Sequence, residues 1–207
     1  MLRLSARQID ELDRNRELAE PRALPASEVY SGVLYAALDY SSLTPAARKR
    51  ADRWVLVSSA LWGAVHLSDP IPSYRLSGDV SLPRLGPVAT LWRKPLTRAI
   101  PRVAADGVVL DLRSGTYAKM WSPDAELAPR TAVARVLHQR PDGSRTVVSH
   151  FNKATKGRLV GALVSQGKTP RSVPELVDLI SALGFATELS EGCPGKPWSL
   201  DVVVDEL

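Results

Sequence analysis

Two hydrophobic periodicities alternate along this chain. Apolar positions at Ile9, Leu12 and Leu18 recur at helical spacing, and Ser5 with Gln8 forms a capping box, so a helix is predicted there that Pro21 and Pro25 end. A second helix is predicted over about Ser27–Leu38, with Val29, Val33, Leu34, Ala37 and Leu38 inward. Thr44-Pro45 opens a third. The run Trp54–Ser58 reads as a buried strand. Pro70 and Pro72 make the segment from Asp69 to Leu76 an extended, stiff loop. A helix over Pro87–Ile100, with Pro95 as a point of kinking, precedes a strand over Gly107–Leu112 and a short helix carrying Tyr117 and Trp121. Ala132–His138 and Arg145–Ser149 form a hairpin about Pro141-Asp142-Gly143-Ser144. Its second strand leads into a helix over Asn152–Gln166. Ser172 and Glu175 cap a helix that stops at Gly184, and Leu200–Val204 is a closing strand. Strands and helices in this order predict a mixed α/β (α+β) fold, a mixed sheet surrounded by helices, in one compact domain spanning 1–207.

Composition narrows the setting. With 44% hydrophobic and 24% charged residues the chain is an ordinary globular one. The longest apolar run, Val55–Val65, is about half of a membrane span. Arg3, Arg7 and Asp10 interrupt any leader-like start, and the single cysteine, Cys193, precludes an internal disulfide, so a reducing, cytoplasmic setting is expected. The net charge of +5 is moderate, but its distribution is uneven. From Val80 to Ala105 and from Gly143 to Pro174 there is no acidic residue, while both segments carry several arginines and lysines. Such segments suit a polyanionic partner if they share a surface.

The candidate chemistry concentrates around Val147–Arg158. Lys153, Lys156 and Arg158 fall in the first two turns of the helix predicted from Asn152. Cations beside the free N–H groups of a helix start repel them unless an anion sits there. The alternative is that these side chains simply point into water. Arg75, Arg113 and Ser114 are further anion-binding candidates, and Asp69, Tyr74, Asp111 and His150 are candidates for catalysis. Asp69 and Arg75 could also pair and tie their own loop, and Asp111 could serve only as a cap. No phosphate loop, dinucleotide fingerprint or nucleophile elbow is present, and His66, His138 and His150 lie at no metal-ligand spacing, so neither metal nor cofactor is expected.

Several patterns in order carry a resemblance: Val29-Tyr30-Ser31-Gly32, Ser59-Ala60-Leu61-Trp62-Gly63, Asp69 to Leu76, Leu91-Trp92, Asp111 to Ser114 with Tyr117, and Ser149 to Gly157. Together they resemble the bacterial YaaA-like peroxide-stress family. The resemblance implies a single α/β domain with a positively charged cleft. It also implies a cytosolic protein that binds DNA and limits iron-driven oxidative damage under peroxide. By motif the cleft positions are Tyr74, Arg75, Arg113, Lys153 and Lys156. Two features depart from the family. Its usual opening strand and Ser- and Lys-containing turn would precede the start of this chain. No glycine lies between Ala19 and Ser27 to make the family's helix-hairpin-helix element. Two functions therefore stand open: nucleic-acid binding, or an enzyme acting on a nucleotide, nucleic acid or other phosphate-bearing substrate. A protein-interaction module with merely solvated cations is the third.

Overall fold

A computed structural model of the chain describes residues 15, 16, 18 and 22–204, apart from the side chains of Ser149 and His150. The capped helix expected from Ser5 therefore lies outside the described residues. The fold is mixed α/β, with seven α-helices and a mixed five-stranded sheet among the described residues. The residues fall into two compact units. One gathers the described residues up to Tyr30 with Asp52–Ile100 and Arg113–Ser122, and the other holds Ser31–Ala51, Pro101–Leu112 and the chain from Pro123 onward.

The second unit is built on the sheet. Its strands run in the order Ala186–Ser190, Trp198–Val204, Thr131–Gln139, Val109–Asp111, and Arg145–Thr146 pairs with the far end of Thr131–Gln139. Trp198–Val204 lies parallel to Thr131–Gln139 and antiparallel to Ala186–Ser190. Alternation along Thr131–Gln139 sends Ala132, Ala134 and Val136 into a core with Leu159, Val173, Leu176, Ile180, Leu200 and Val202. Two alanines at the centre of that face leave room for the branched side chains of the helices. The serine half of the expected capping box holds, Ser172 Oγ accepting the Glu175 N–H at 3.3 Å, while the Glu175 carboxylate reaches one residue further back, to the Arg171 N–H at 2.9 Å. Gly184, at φ 90°, ends the turn after this helix as expected.

In the first unit, Leu56–Ser59 and Gly63–His66 form a hairpin, and the proline-bearing segment Pro70–Pro72 pairs antiparallel with Ala23–Pro25. Ser81–Leu82 and Gly86–Pro87 form a second hairpin that leads into the helix Val88–Ala104. That helix continues past Pro95 and Pro101.

Several boundaries differ from expectation: Trp54 ends the helix Pro45–Trp54 and the strand after it is Leu56–Ser59, and the closing strand starts at Trp198. The helix expected over Ser27–Leu38 is two helices, Ala26–Val29 and Val33–Leu38, since Tyr30 is extended and Gly32 sits at φ 102°. The strand after the Asp142 turn ends at Thr146, not Ser149. The following helix starts at Ser149, three residues early, so Lys153 lies in its second turn and no cation occupies the first.

Candidate functional site

In the first unit a chain of hydroxyls converges on Tyr74. Its phenol oxygen is 2.6 Å from Ser59 Oγ and 2.9 Å from the Tyr30 hydroxyl, and the two rings meet edge to face. Buried Ser59 also accepts the Trp62 N–H at 2.9 Å. The local sequence explains this arrangement. Ser59 closes a strand, the loop Ala60-Leu61-Trp62 reverses the chain, and Gly63 restarts it at φ 77°. The Trp92 ring packs where a Gly63 side chain would be, and its Nε1 donates to the Ala60 carbonyl at 2.8 Å. From the other side, Asn15 clamps the Arg75 backbone, donating to its carbonyl at 2.8 Å and accepting its N–H at 2.7 Å.

Burial pushes the Tyr74 pKa well above that of a free phenol, with the Ser59 hydrogen bond opposing. Burial, followed by the proximity of Tyr74, raises Tyr117 as well. Both therefore stay protonated near neutrality and act as neutral hydrogen-bonding groups, not bases. Replacing Tyr74 by phenylalanine should cost about 1–2 kcal/mol in urea unfolding, because two hydroxyls lose a partner they reach inside the unit. A change below about 0.3 kcal/mol would show that the hydroxyl chain contributes nothing.

The remaining candidates of this unit are placed as follows. The Asp69 carboxylate accepts the His66 N–H at 2.7 Å and so ties its own turn. Arg113 donates to the carbonyls of Tyr117, at 3.2 Å, and Trp121, at 2.9 Å. Its guanidinium also lies 5.0 Å from the centre of the Trp121 ring, a cation–π contact. Ser114 is exposed and makes no capping bond to the helix Gly115–Ala118.

In the second unit the helix Ser149–Gln166 separates its cations. Lys156 is buried, and its ammonium donates to the Leu112 carbonyl at 2.9 Å. Burial lowers its pKa, and the nearby Asp111, itself buried in the strand Val109–Asp111, partly restores it. Lys153 and Arg158 are exposed and have no ion-pair partner among the described residues. The side chain of His150 lies outside the described part.

Gly157 is a position that sequence reasoning left unassigned beyond its motif. A Cβ there would run into the Leu34 carbonyl oxygen and come within 2.9 Å of Ala37 Cβ and the Leu38 nitrogen. Tyr30, on the second predicted helix, carries a hydroxyl that needs a partner if buried, but its partner and the role of Ser59 are not readable from the sequence. Each also stands in one of the patterns carrying the family resemblance.

Among the described residues no three His, Cys, Asp or Glu side chains gather as metal ligands, and no helix is long and apolar enough to cross a membrane.

The family model described as peroxide stress protein YaaA matches residues 1–189. A UPF0246 protein of Streptomyces coelicolor is 51% identical over 198 residues, 95% of this chain and 75% of its own length. A UPF0246 protein of Corynebacterium efficiens is 38% identical over 182 residues, 86% of this chain and 70% of its own length. One from Corynebacterium glutamicum is 36% identical over 192 residues, covering 91% and 74%. This chain belongs to the peroxide stress protein YaaA family.

Proposed function

We propose that this peroxide stress protein binds nucleic acid, DNA in the first place, through its exposed cations, and thereby helps limit iron-driven oxidative damage. One observation carries the reading. Lys153 and Arg158 project from a single helix into solvent with no carboxylate partner among the described residues, in a segment without an acidic residue. Solvated, unpaired cations of this kind gain most from phosphate, because binding releases the counterions condensed on the polyanion. The same exchange displaces metal cations from the backbone, ferrous iron included, which links phosphate coverage to protection from peroxide. In this reading Lys153 and Arg158 contact phosphates. Lys156 and Arg113, which donate to backbone carbonyls inside their units, hold the elements that present them.

The test is duplex-DNA affinity, by fluorescence anisotropy, across a salt series. The wild type should weaken steeply with salt. Lys153→Glu with Arg158→Glu should bind at least about tenfold more weakly and flatten the log–log salt slope by about 2, at roughly 0.9 per lost phosphate contact. Affinity that ignores salt, or that survives both reversals, would refute the proposal.

A second reading, an enzyme acting on a nucleotide, nucleic acid or other phosphate-bearing substrate, draws support from Lys156 and Asp111. A lysine whose charge is disfavoured by burial, beside a carboxylate, is the combination that base and nucleophile lysines use. Turnover of a nucleotide or oligonucleotide that disappears in Lys156→Met, with the fold retained, would favour it over simple binding.

A further inference from the structure

We infer that the first unit carries a separate pocket for one unstacked base of single-stranded nucleic acid. This inference rests on the nucleic-acid reading above and adds where a base is held. A cavity of about 170 Å³ is walled by Ala60, Leu61, Leu76, Val88, Leu91 and Trp92, an almost wholly apolar lining. Leu91 is 38% exposed at this cavity. Two other exposed apolar side chains stand on segments that build the same pocket. Trp62, 41% exposed, follows Leu61, and Leu85, 63% exposed, lies in the turn that joins the lining residues Leu82 and Val88. Single exposed apolar residues are ordinary, but three on the segments around one cavity are not.

The charges around the pocket choose its occupant. Arg84 sits in the turn beside Leu85, held at φ 64°. Lys94 and Arg98 follow Leu91 by three and seven residues, so all three share one face of the helix Val88–Ala104. Arg84, Lys94 and Arg98 are exposed and have no hydrogen-bond or ion-pair partner among the described residues. They belong to the acid-free segment from Val80 to Ala105.

An apolar slot with cations along its rim suits a ligand that is apolar at its centre and anionic on either side. An unstacked base between its two phosphates has that form. Lys94 and Arg98 stand about 6 Å apart along the helix axis, at 1.5 Å per residue, comparable to the step between phosphates of an extended strand. A duplex keeps its bases stacked inside and cannot fill the slot. Because the walls offer almost no polar atoms, the base is held by stacking and apolar contact, with little reading of its identity.

The experiment compares a labelled oligothymidine strand with a duplex, using full-length wild type, Leu91→Gln with Trp62→Ala, and Lys153→Glu with Arg158→Glu. The pocket variant introduces no charge and changes only exposed side chains, and its melting curve checks the fold. It should lose about tenfold or more in affinity for oligothymidine, the range set by one stacked base, while its duplex affinity stays within about twofold. Tryptophan fluorescence of the wild type should be quenched by oligothymidine, and less so in the variant. The pocket inference fails alone if the variant keeps full oligothymidine affinity while the charge reversals still weaken duplex binding. It also fails if the variant loses both ligands equally, or loses binding to phosphatidylglycerol vesicles but not to oligothymidine. If the wild type binds neither nucleic acid, the parent reading falls with it.

Discussion

Replacing Gly157 by alanine is expected to lower the melting temperature by about 5–10 °C, which corresponds to about 2–3 kcal/mol for a chain of this size. The sign is what makes the substitution informative. In a helix interior alanine is ordinarily favoured over glycine by about 1 kcal/mol, and Gly157 has no positive φ to protect. Propensity alone would therefore raise stability. The opposite is expected because the added methyl meets the backbone of the helix Val33–Leu38, at the Leu34 carbonyl and the Leu38 nitrogen. Backbone atoms of a helix cannot swing aside as the end of a long side chain can, so the two helices must separate. Gly161, one turn later, would bring its Cβ to 3.3 Å from the Leu38 carbonyl and should show the same effect more weakly. Gly115→Ala is the control. Nothing lies within 4 Å of its added Cβ, and its melting temperature should stay within about 2 °C of wild type. Thermal unfolding followed by circular dichroism decides the matter. A Gly157→Ala protein as stable as wild type would mean that the helix contact is looser than described.

Gly157 also shows where sequence reading stops. The segment Lys153-Ala154-Thr155-Lys156-Gly157 looks, as letters, like two equivalent lysines on one basic face, three residues apart. The close approach that the glycine permits is part of what turns them apart. One side of the helix packs on Val33–Leu38, and Lys156 is carried inward while Lys153 stays in water. No local signal separates the two, since the deciding contact comes from a helix more than a hundred residues earlier in the chain. The helix start was hidden for a similar reason. The cap position falls on Val148, whose side chain has no oxygen to accept a first-turn N–H, so no capping signal marks the point where the β-branched run gives way to the helix. With the helix starting at Ser149, Lys153, Lys156 and Arg158 all lie beyond its first turn and do not crowd its N-terminus. Of the three, Lys153 and Arg158 are exposed to solvent.

The parts that were legible rest on local patterns with a local physical cause. Ser172 and Glu175 declare a helix start because the serine oxygen satisfies a neighbouring N–H. The alternation from Ala132 to His138 declares a strand because one face must be buried. The hydroxyl chain is the reverse case. Tyr74 meets Ser59 across 15 positions and Tyr30 across 44, so it is assembled entirely by tertiary packing. The pattern that supported the family resemblance contained all three residues, but nothing in their spacing announced that their oxygens would meet.

Removing the Lys156 side chain is the second large effect expected. Lys156→Ala should cost about 3 kcal/mol, whereas Lys153→Ala should change stability by less than about 0.5 kcal/mol. The first leaves the Leu112 carbonyl without its ammonium donor and takes one positive charge from the neighbourhood of buried Asp111, while the second removes only a solvated charge. A pH series separates this account from a simple loss of packing. Burial sets the folded pKa of Lys156 below the 10.5 of free lysine, so between those two values the unfolded chain holds more protons than the folded one. The penalty for burying this charge is therefore fully present below the folded pKa. It is relieved as pH rises through the folded pKa toward 10.5. Lys156→Met keeps much of the apolar stem but cannot titrate, so it serves as the reference. The stability of wild type minus that of Lys156→Met, from guanidinium unfolding, should rise with pH across that window. A difference that stays flat, or falls, would mean that the ammonium is solvated in the folded protein. Lys156 would then return to the phosphate-binding face beside Lys153 and Arg158.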